Sequence, residues 1–500
     1  MSDCFDVIIA GAGPVGLFLA CELAMANVSV LILEKEVTCV SPWKEGHFGR
    51  RGLFTHAVEA FHRRGLLEKI LNGGPRFSHF GKTTGFKFGG HFAGMNLNAN
   101  NIDFQRWQYR LPGPSFMPGV SSLGQIEAVL TERAQTMGVQ IRRDMAVSQV
   151  HDSGENVRVW AGDQCFEAQW LVGCDGGRST VRNIAGFKFE GTEAEFIGYT
   201  AKCELDKPEL LGQGFCRTKT GLYIVTGPGH LHVMDFDTSF DRLQPITREH
   251  FQDVLRRVSG TDIGVNTLHL ASSFTDRSKQ VTEYRRGRVL LAGDSAHINS
   301  PLGAQGLNTG IADAINVGWK LAATVKNTAP PGLLDTYHDE RYPNAAWVLE
   351  WTRAQVVTLR PDAYGKAVAN IVQSLISTED GASYFADRMW GISMRYDLGN
   401  AHPLVGCSAP DFEFDDGLRL ANRLEQGGFV LVDFQNSPSA ADFVQSLGPM
   451  VHYSGSHAKQ TLGLKALLVR PDGIVVWAST EEMNLDAVKT ALSRWVNLEV

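Results

Sequence analysis

The sequence predicts an α/β protein: a Rossmann-like parallel-sheet domain, an antiparallel-sheet domain inserted into it, and a separate α/β unit at the C-terminal end. Three observations predict it. Residues 5–34, FDVIIAGAGPVGLFLACELAMANVSVLILE, read as buried strand, glycine turn, helix and second strand. Residues 195–238 change to short alternating runs, FIGYTAKCEL, GLYIVTG and HLHVMDFD, the pattern of antiparallel strands. After the linker-like HPLVGCSAPDFEF at 402–414 comes a compact unit: strand FVLVDF, helix 439–447, strand MVHY, a strand pair around the turn RPDG, and helix 484–496.

Composition narrows the function. Five hundred residues, 43% hydrophobic and 20% charged, suffice for several cores. With 47 basic against 54 acidic residues, a net charge of -7 and no long basic run, no nucleic-acid partner is expected. The eight cysteines form no CxxC and no Cys/His cluster at metal spacing, so no metal is expected and free thiols point to a reducing cytoplasm. The opening MSDCFD lacks the basic stretch of a secretory signal. Residues 7–33 imitate a membrane span, but Gly11, Gly13, Pro14, Gly16 and Glu22 break the run, and no span is expected.

In the first unit Gly11 makes the turn, Gly13 lets a pyrophosphate approach the backbone ahead of Pro14, and Gly16 lets helix and strand pack closely. Glu34, 23 residues after Gly11 and followed by Lys35, ends the second strand where a carboxylate can accept from ribose hydroxyls. Adenine dinucleotide binding follows; NAD and FAD use the same device, so the motif does not choose between them.

A second motif, WLVGCDGGRSTVRNIAG at 170–186, runs from a buried strand through Asp175, Gly176 and Gly177 to a helix that Ser179 can cap. By itself it reads first as an ordinary strand-to-helix turn with a capping serine. The third, AGDSAHINSPLGAQGLNTG at 292–310, places Asp294 at the carboxyl end of strand RVLLAG. Apolar spacing from Leu307 predicts a helix beginning near Asn308, with its first-turn N–H groups pointing into the loop.

These three motifs, in this order, resemble those of the FAD-dependent aromatic hydroxylases, the class A single-component flavoprotein monooxygenases. The resemblance covers most of residues 4–355. It implies that the first motif, with Glu34 and Lys35, holds the ADP half of FAD. Asp175-Gly176 would border a channel shared by FAD and a nicotinamide donor. Gly293 and Asp294 would bind the ribityl chain, and the loop Pro301, Gly303, Gly306, Leu307 and Asn308 would lie against the flavin ring. Backbone donors from Gly306 to Asn308 could then stabilise charge on reduced flavin. His297 is expected to be structural, and His56 a helix-face residue. In GRRGLFTHAVEAFHRRGLLEK (49–69), Arg51 would reach the pyrophosphate or the flavin. Gln125 stands two residues before Glu127 where the family commonly has four, so either the turn is one step different or this flavin contact is missing.

The implied reaction is hydroxylation of a phenolic or polyketide-like small molecule, as in secondary metabolism, by NADPH or NADH and O2 through a C4a-hydroperoxyflavin. Baeyer-Villiger insertion, epoxidation, or a non-oxygenating FAD reductase are the alternatives. No residue is assigned to catalysis. Tyr223, on a strand over the ring, and His91 and Phe92, from the excursion at 73–119, would meet substrate. The expected domains are FAD-binding 1–75, 115–190 and 275–355; substrate-binding 76–114 and 191–274; a helical connection 356–400; and 401–500. The last resembles the thioredoxin-like domain of larger aromatic hydroxylases; having Cys407 as its sole cysteine, it is expected to serve packing or assembly. A homodimer is possible.

Overall fold

The computed structural model describes residues 4–74, 83–399 and 401–498, so the expected domain joints at 75/76 and 400/401 touch residues outside that range. The central sheet runs, in spatial order, Arg285–Arg286, Val289–Leu291, Gln164–Gly173, Cys4–Ala10, Val30–Leu33 and Gln140–Arg142. From Val289–Leu291 to Gln140–Arg142 all pairings are parallel. Strand Val30–Leu33 is buried along its whole length, as a parallel strand covered on both faces must be. Helices Pro14–Met25, Leu123–Thr136 and Gln305–Val325 pack side by side on this domain.

The inserted domain is a five-stranded antiparallel sheet in the order Gly214–Arg217, Gly221–Gly227, His230–Asp235, Ile197–Leu205, Val265–Thr275. Its two faces belong to different cores. One packs Tyr199, Tyr223 and Val233 against Phe251, Leu255 and Val258 of helix Arg248–Ser259. The other turns Leu222 and Met234 toward Phe92, Leu302, Phe385 and Trp390.

Helices Thr336–Leu359, Ala363–Ile376 and Glu379–Met389 follow, where a helical region is predicted. The C-terminal unit is a mixed sheet, Val451–Gly455, Phe429–Asp433, Ala466–Val469, Val475–Ser479, with helices Pro438–Ser446 and Leu485–Ser493, the thioredoxin-like arrangement. It docks through a buried cation. Arg470 donates to both Glu340 oxygens at 2.7 and 2.8 Å, and its guanidinium lies 5.2, 5.7 and 4.5 Å from the rings of Trp319, Tyr396 and Trp495. All eight cysteines are free. Among the described residues no helix is long and apolar enough to cross a membrane, and no group of His, Cys, Asp or Glu could hold a metal ion.

Candidate active site

The cleft begins at the first glycine turn. Gly11 has φ +106°, and a Cβ there would stand 2.4 Å from the Cys174 carbonyl, so only glycine fits. A Cβ on Gly16 would meet the Gly11 carbonyl oxygen of the turn at 2.1 Å and Ile9 Cγ2 of the strand at 3.2 Å, so only glycine lets the helix lie this close. Beside Gly13, by contrast, space is open for 4 Å, and no side chain caps the helix that starts at Pro14. Its first N–H groups are therefore free for an anion. Glu34 faces this turn: Oε2 accepts from Ala12 N at 2.6 Å and Oε1 from Glu36 N at 2.8 Å. Lys35 is exposed and pairs only loosely with Glu36, at 3.7 Å.

At Asp175 the hydrogen bonds are those of a strand-to-helix turn. Its Oδ2 accepts from the backbone N–H of Thr180 at 2.7 Å and Val181 at 3.0 Å, and its Oδ1 from the Ser179 hydroxyl. The carboxylate thus caps helix Thr180–Ile184, while the Gly176 backbone beside it has open space. Arg182 of that helix donates to the carbonyls of Ser295 and Gly177 at 3.1 and 3.0 Å, clamping the second motif to the third.

The third motif forms the floor. Gly293 N and His297 Nε2 both meet Asp313 Oδ2, at 3.0 and 2.6 Å, and Arg341 Nε holds the other oxygen at 2.7 Å. Burial works to raise the Asp313 carboxyl, but His297 and Arg341 outweigh it and hold the group below the usual carboxylate range. His297 is therefore structural, as expected, in a network whose other members lie on later helices. Asp294 differs: its carboxylate reaches solvent within the cleft, yet the surrounding walls push its pKa upward, with His297 opposing. A Cβ on Gly306 would stand 3.7 Å from Asp294 Oδ1 and 3.5 Å from Asn299 Oδ1, so these oxygens face the start of helix Gln305–Val325.

That helix starts three residues earlier than its apolar period predicts, after Gly303 at φ +80° and Ala304 at φ +54°. The free first-turn donors are accordingly Gln305, Gly306 and Leu307; the Asn308 N–H falls inside the helical ladder. The Asn308 side chain is a brace instead. It donates to Gly52 O at 3.0 Å and Ala304 O at 2.8 Å, and accepts from Phe54 N at 2.7 Å. Pro301 is exposed, whereas Leu302 enters the aromatic core.

Other expectations are redirected. Arg51, half-buried beside the cleft, turns its Nη1 onto the carbonyls of Phe48 and Arg50 at 2.8 and 2.9 Å. Gln125 Nε2 donates to Lys69 O at 2.9 Å, away from the flavin loop. Tyr223 is a correction: it belongs to the core under helix Arg248–Ser259, where its hydroxyl accepts from Gly212 N at 3.0 Å. Side chains alternate along a strand, so Leu222 and Ile224 are the residues that face the aromatic cluster with Phe92 and Trp390. His91 packs on Phe215 with centroids 4.2 Å apart, and Phe92 packs on Trp351 and Phe385 at 4.9 and 5.0 Å. Gln355, unsuspected from sequence, links this wall to the loop: its Oε1 accepts from Ala93 N at 3.1 Å, and its Nε2 lies 3.1 Å from where a Gly303 Cβ would stand. Only spatial proximity reveals it.

Glycine-made open space, an oriented carboxylate, a crowded acid and a bare helix N-terminus fit FAD. The comparisons agree. Residues 4–352 match the FAD binding domain family and residues 402–497 the aromatic-ring hydroxylase C-terminal family. A monooxygenase of Claviceps purpurea is 53% identical over 99% of this chain and 98% of its own. A dialkyldecalin synthase of Streptomyces rugosporus is 34% identical over 99% of both chains. The solved anhydrotetracycline hydroxylase of Streptomyces rimosus superposes over 99% of both chains with TM-score 0.86 and 33% identity. The chain belongs to the FAD-dependent aromatic-ring hydroxylases and is a flavoprotein monooxygenase.

Proposed function

We propose that the chain hydroxylates a phenolic or polyketide-like small molecule, using NADPH or NADH and O2. The observation that carries this reading is one shared apolar cluster. It joins Leu302 of the flavin loop, Leu222 and Met234 of the inserted sheet, and Phe92, Phe385 and Trp390 of the walls. An aromatic ring held there would stand at the flavin edge, shielded from water. Bound FAD would supply the redox chemistry, taking hydride from the donor and passing one oxygen atom to the ring. Glu34 and the Gly13 turn bind its ADP half, Asp294 its ribityl hydroxyls, and the Gln305–Leu307 donors the pyrimidine edge.

His91 is the group we place on a substrate oxygen. Burial pushes its pKa down to about 4, so it is neutral near pH 7. Its Nδ1 accepts from Gly94 N at 3.3 Å, which leaves the proton on Nε2 as a hydrogen-bond donor. Segments 1–75, 115–190 and 275–355 hold FAD in this reading, and 76–114 with 191–274 hold substrate. The eight free thiols support a reducing cytoplasm.

The test is NADPH oxidation and oxygen uptake with aromatic substrates, using labelled O2. Stimulated, coupled consumption and one labelled oxygen in a new hydroxyl are expected. A solved Diels-Alderase that superposes on this chain with TM-score 0.81 and 31% identity supports a second reading, ring closure without oxygen transfer. Product formed with no oxygen uptake would favour it.

A further inference from the structure

Helix Ala363–Ile376 carries a wider apolar arc than its core contact uses. Gly365, Ala369 and Ile376 are buried. Tyr364, Val368, Ile371 and Leu375 recur at helical spacing yet are 84%, 39%, 63% and 49% exposed. At about 100° per residue these four fall within about 60° of arc, beside the buried face and away from Lys366, Asn370 and Gln373. Lys366 is the helix's only charge. A continuous exposed apolar stripe of this kind marks an interaction surface.

We propose that this stripe pairs with its own copy, making the chain a two-fold homodimer. The four positions are symmetric about the midpoint between Ala369 and Asn370. A two-fold axis there sets Val368 against Ile371 of the second copy, and Tyr364 against its Leu375, each contact occurring twice. The same symmetry opposes charges. Arg360 stands three residues before the helix and Glu379 three residues after it, so each Arg360 meets a Glu379 of the other copy. Arg360 is exposed; it holds Asp362 at 2.9 Å and faces Glu195 from Nε at 3.8 Å, which leaves Nη1 of its fork for a further carboxylate. The antiparallel helices also oppose their dipoles favourably.

A membrane surface is the less suited occupant, because the stripe is not bordered by the basic residues that anionic lipid selects. Stable interfaces bury about 1,200 Å² or more, beyond what four side chains supply. Val357, 38% exposed, and Tyr384, 49% exposed, extend the surface on the two helices packed against this one. Through helix Glu379–Met389, whose Phe385 and Met389 belong to the aromatic cluster, the pairing would brace the proposed active site.

Sedimentation equilibrium and light scattering on the FAD-loaded full chain test this without recourse to substrate or turnover, so the result is independent of the proposed reaction. Wild type should have twice the chain mass. Ile371→Glu, which places two charges at the axis, should raise the dimer dissociation constant about 100-fold or more with flavin absorbance and near-UV circular dichroism unchanged. Arg360→Glu should weaken the dimer, and adding Glu379→Arg should restore it. A monomeric wild type, a dimer indifferent to Ile371→Glu, or a double variant that fails to recover overturns the proposal. So does a monomer that floats with anionic vesicles, which would assign the stripe to lipid.

Discussion

Glu34 holds its own glycine turn, through Ala12 N, with the carboxylate that the ribose of FAD would meet. Glu34→Ala removes a charged acceptor worth about 1.5–3 kcal/mol, so the FAD dissociation constant should rise roughly 10- to 100-fold. Flavin fluorescence titration measures it, and full retention of flavin at unchanged affinity would contradict the assignment. Three histidines set an acid limit. Burial lowers His56, His91 and His232 from 6.5 to about 4 each, with Arg341 adding to the effect at His56 and Arg51 at His232. His56 lines a small pocket of about 20 Å³, room for one water. Because the folded values are depressed, the unfolded chain binds protons first as pH falls. The contribution of these three rings to stability should therefore be constant above about pH 6.5 and decline toward pH 4, each ring taking up as much as one proton on unfolding. Thermal unfolding at pH 7.5 and 5.0 checks the sign; an unchanged Tm at pH 5.0 would mean these rings are not held neutral.

Helix Gln305–Val325 and the loop before it decide how the flavin edge is met. The predicted start near Asn308 follows the apolar period, but the true first turn, Gln305-Gly306-Leu307, contains a glycine and a buried glutamine that carry no periodic signal. Gly306 does not adopt a positive φ, so its value lies in space: a side chain there would project toward Asp294 and Asn299. Gly306→Val should cut FAD occupancy. In the loaded fraction it should make the flavin potential more negative and slow its reduction, because the ring is displaced from the first-turn donors. Potentiometry reads this, with near-UV circular dichroism as the packing control; an unchanged potential and normal turnover would place the pyrimidine ring elsewhere. Tyr223 illustrates another limit of the element scale. Alternation says that one of Leu222 and Tyr223 faces the cavity, and only the packing of helix Arg248–Ser259 under the sheet says which.

The molecule is tied together by buried charge that crosses its domains. Arg470 of the C-terminal unit meets Glu340, which also receives Lys320 of the flavin-loop helix at 2.9 Å. Arg470→Met strips one partner from a buried pair, at a cost of about 3–5 kcal/mol, and should loosen the unit from that helix. Differential scanning calorimetry should show a lower or split transition; a single unshifted one would contradict the role given to this contact. By itself the sequence determined the nucleotide-binding unit, the inserted antiparallel sheet, the thioredoxin-like unit and the order of the three motifs. Each is written in contiguous residues, where glycine placement and period 2 or 3.6 report the backbone directly. The tertiary structure alone decided that Asp313, itself held by Arg341, meets His297, that the Asn308 side chain braces the loop while its N–H joins the helical ladder, that Gln355 joins wall to loop, and that Tyr223 faces away. Those outcomes depend on which side chains fold together across long stretches of chain, and on how burial and partner charge then divide each group's hydrogen bonds.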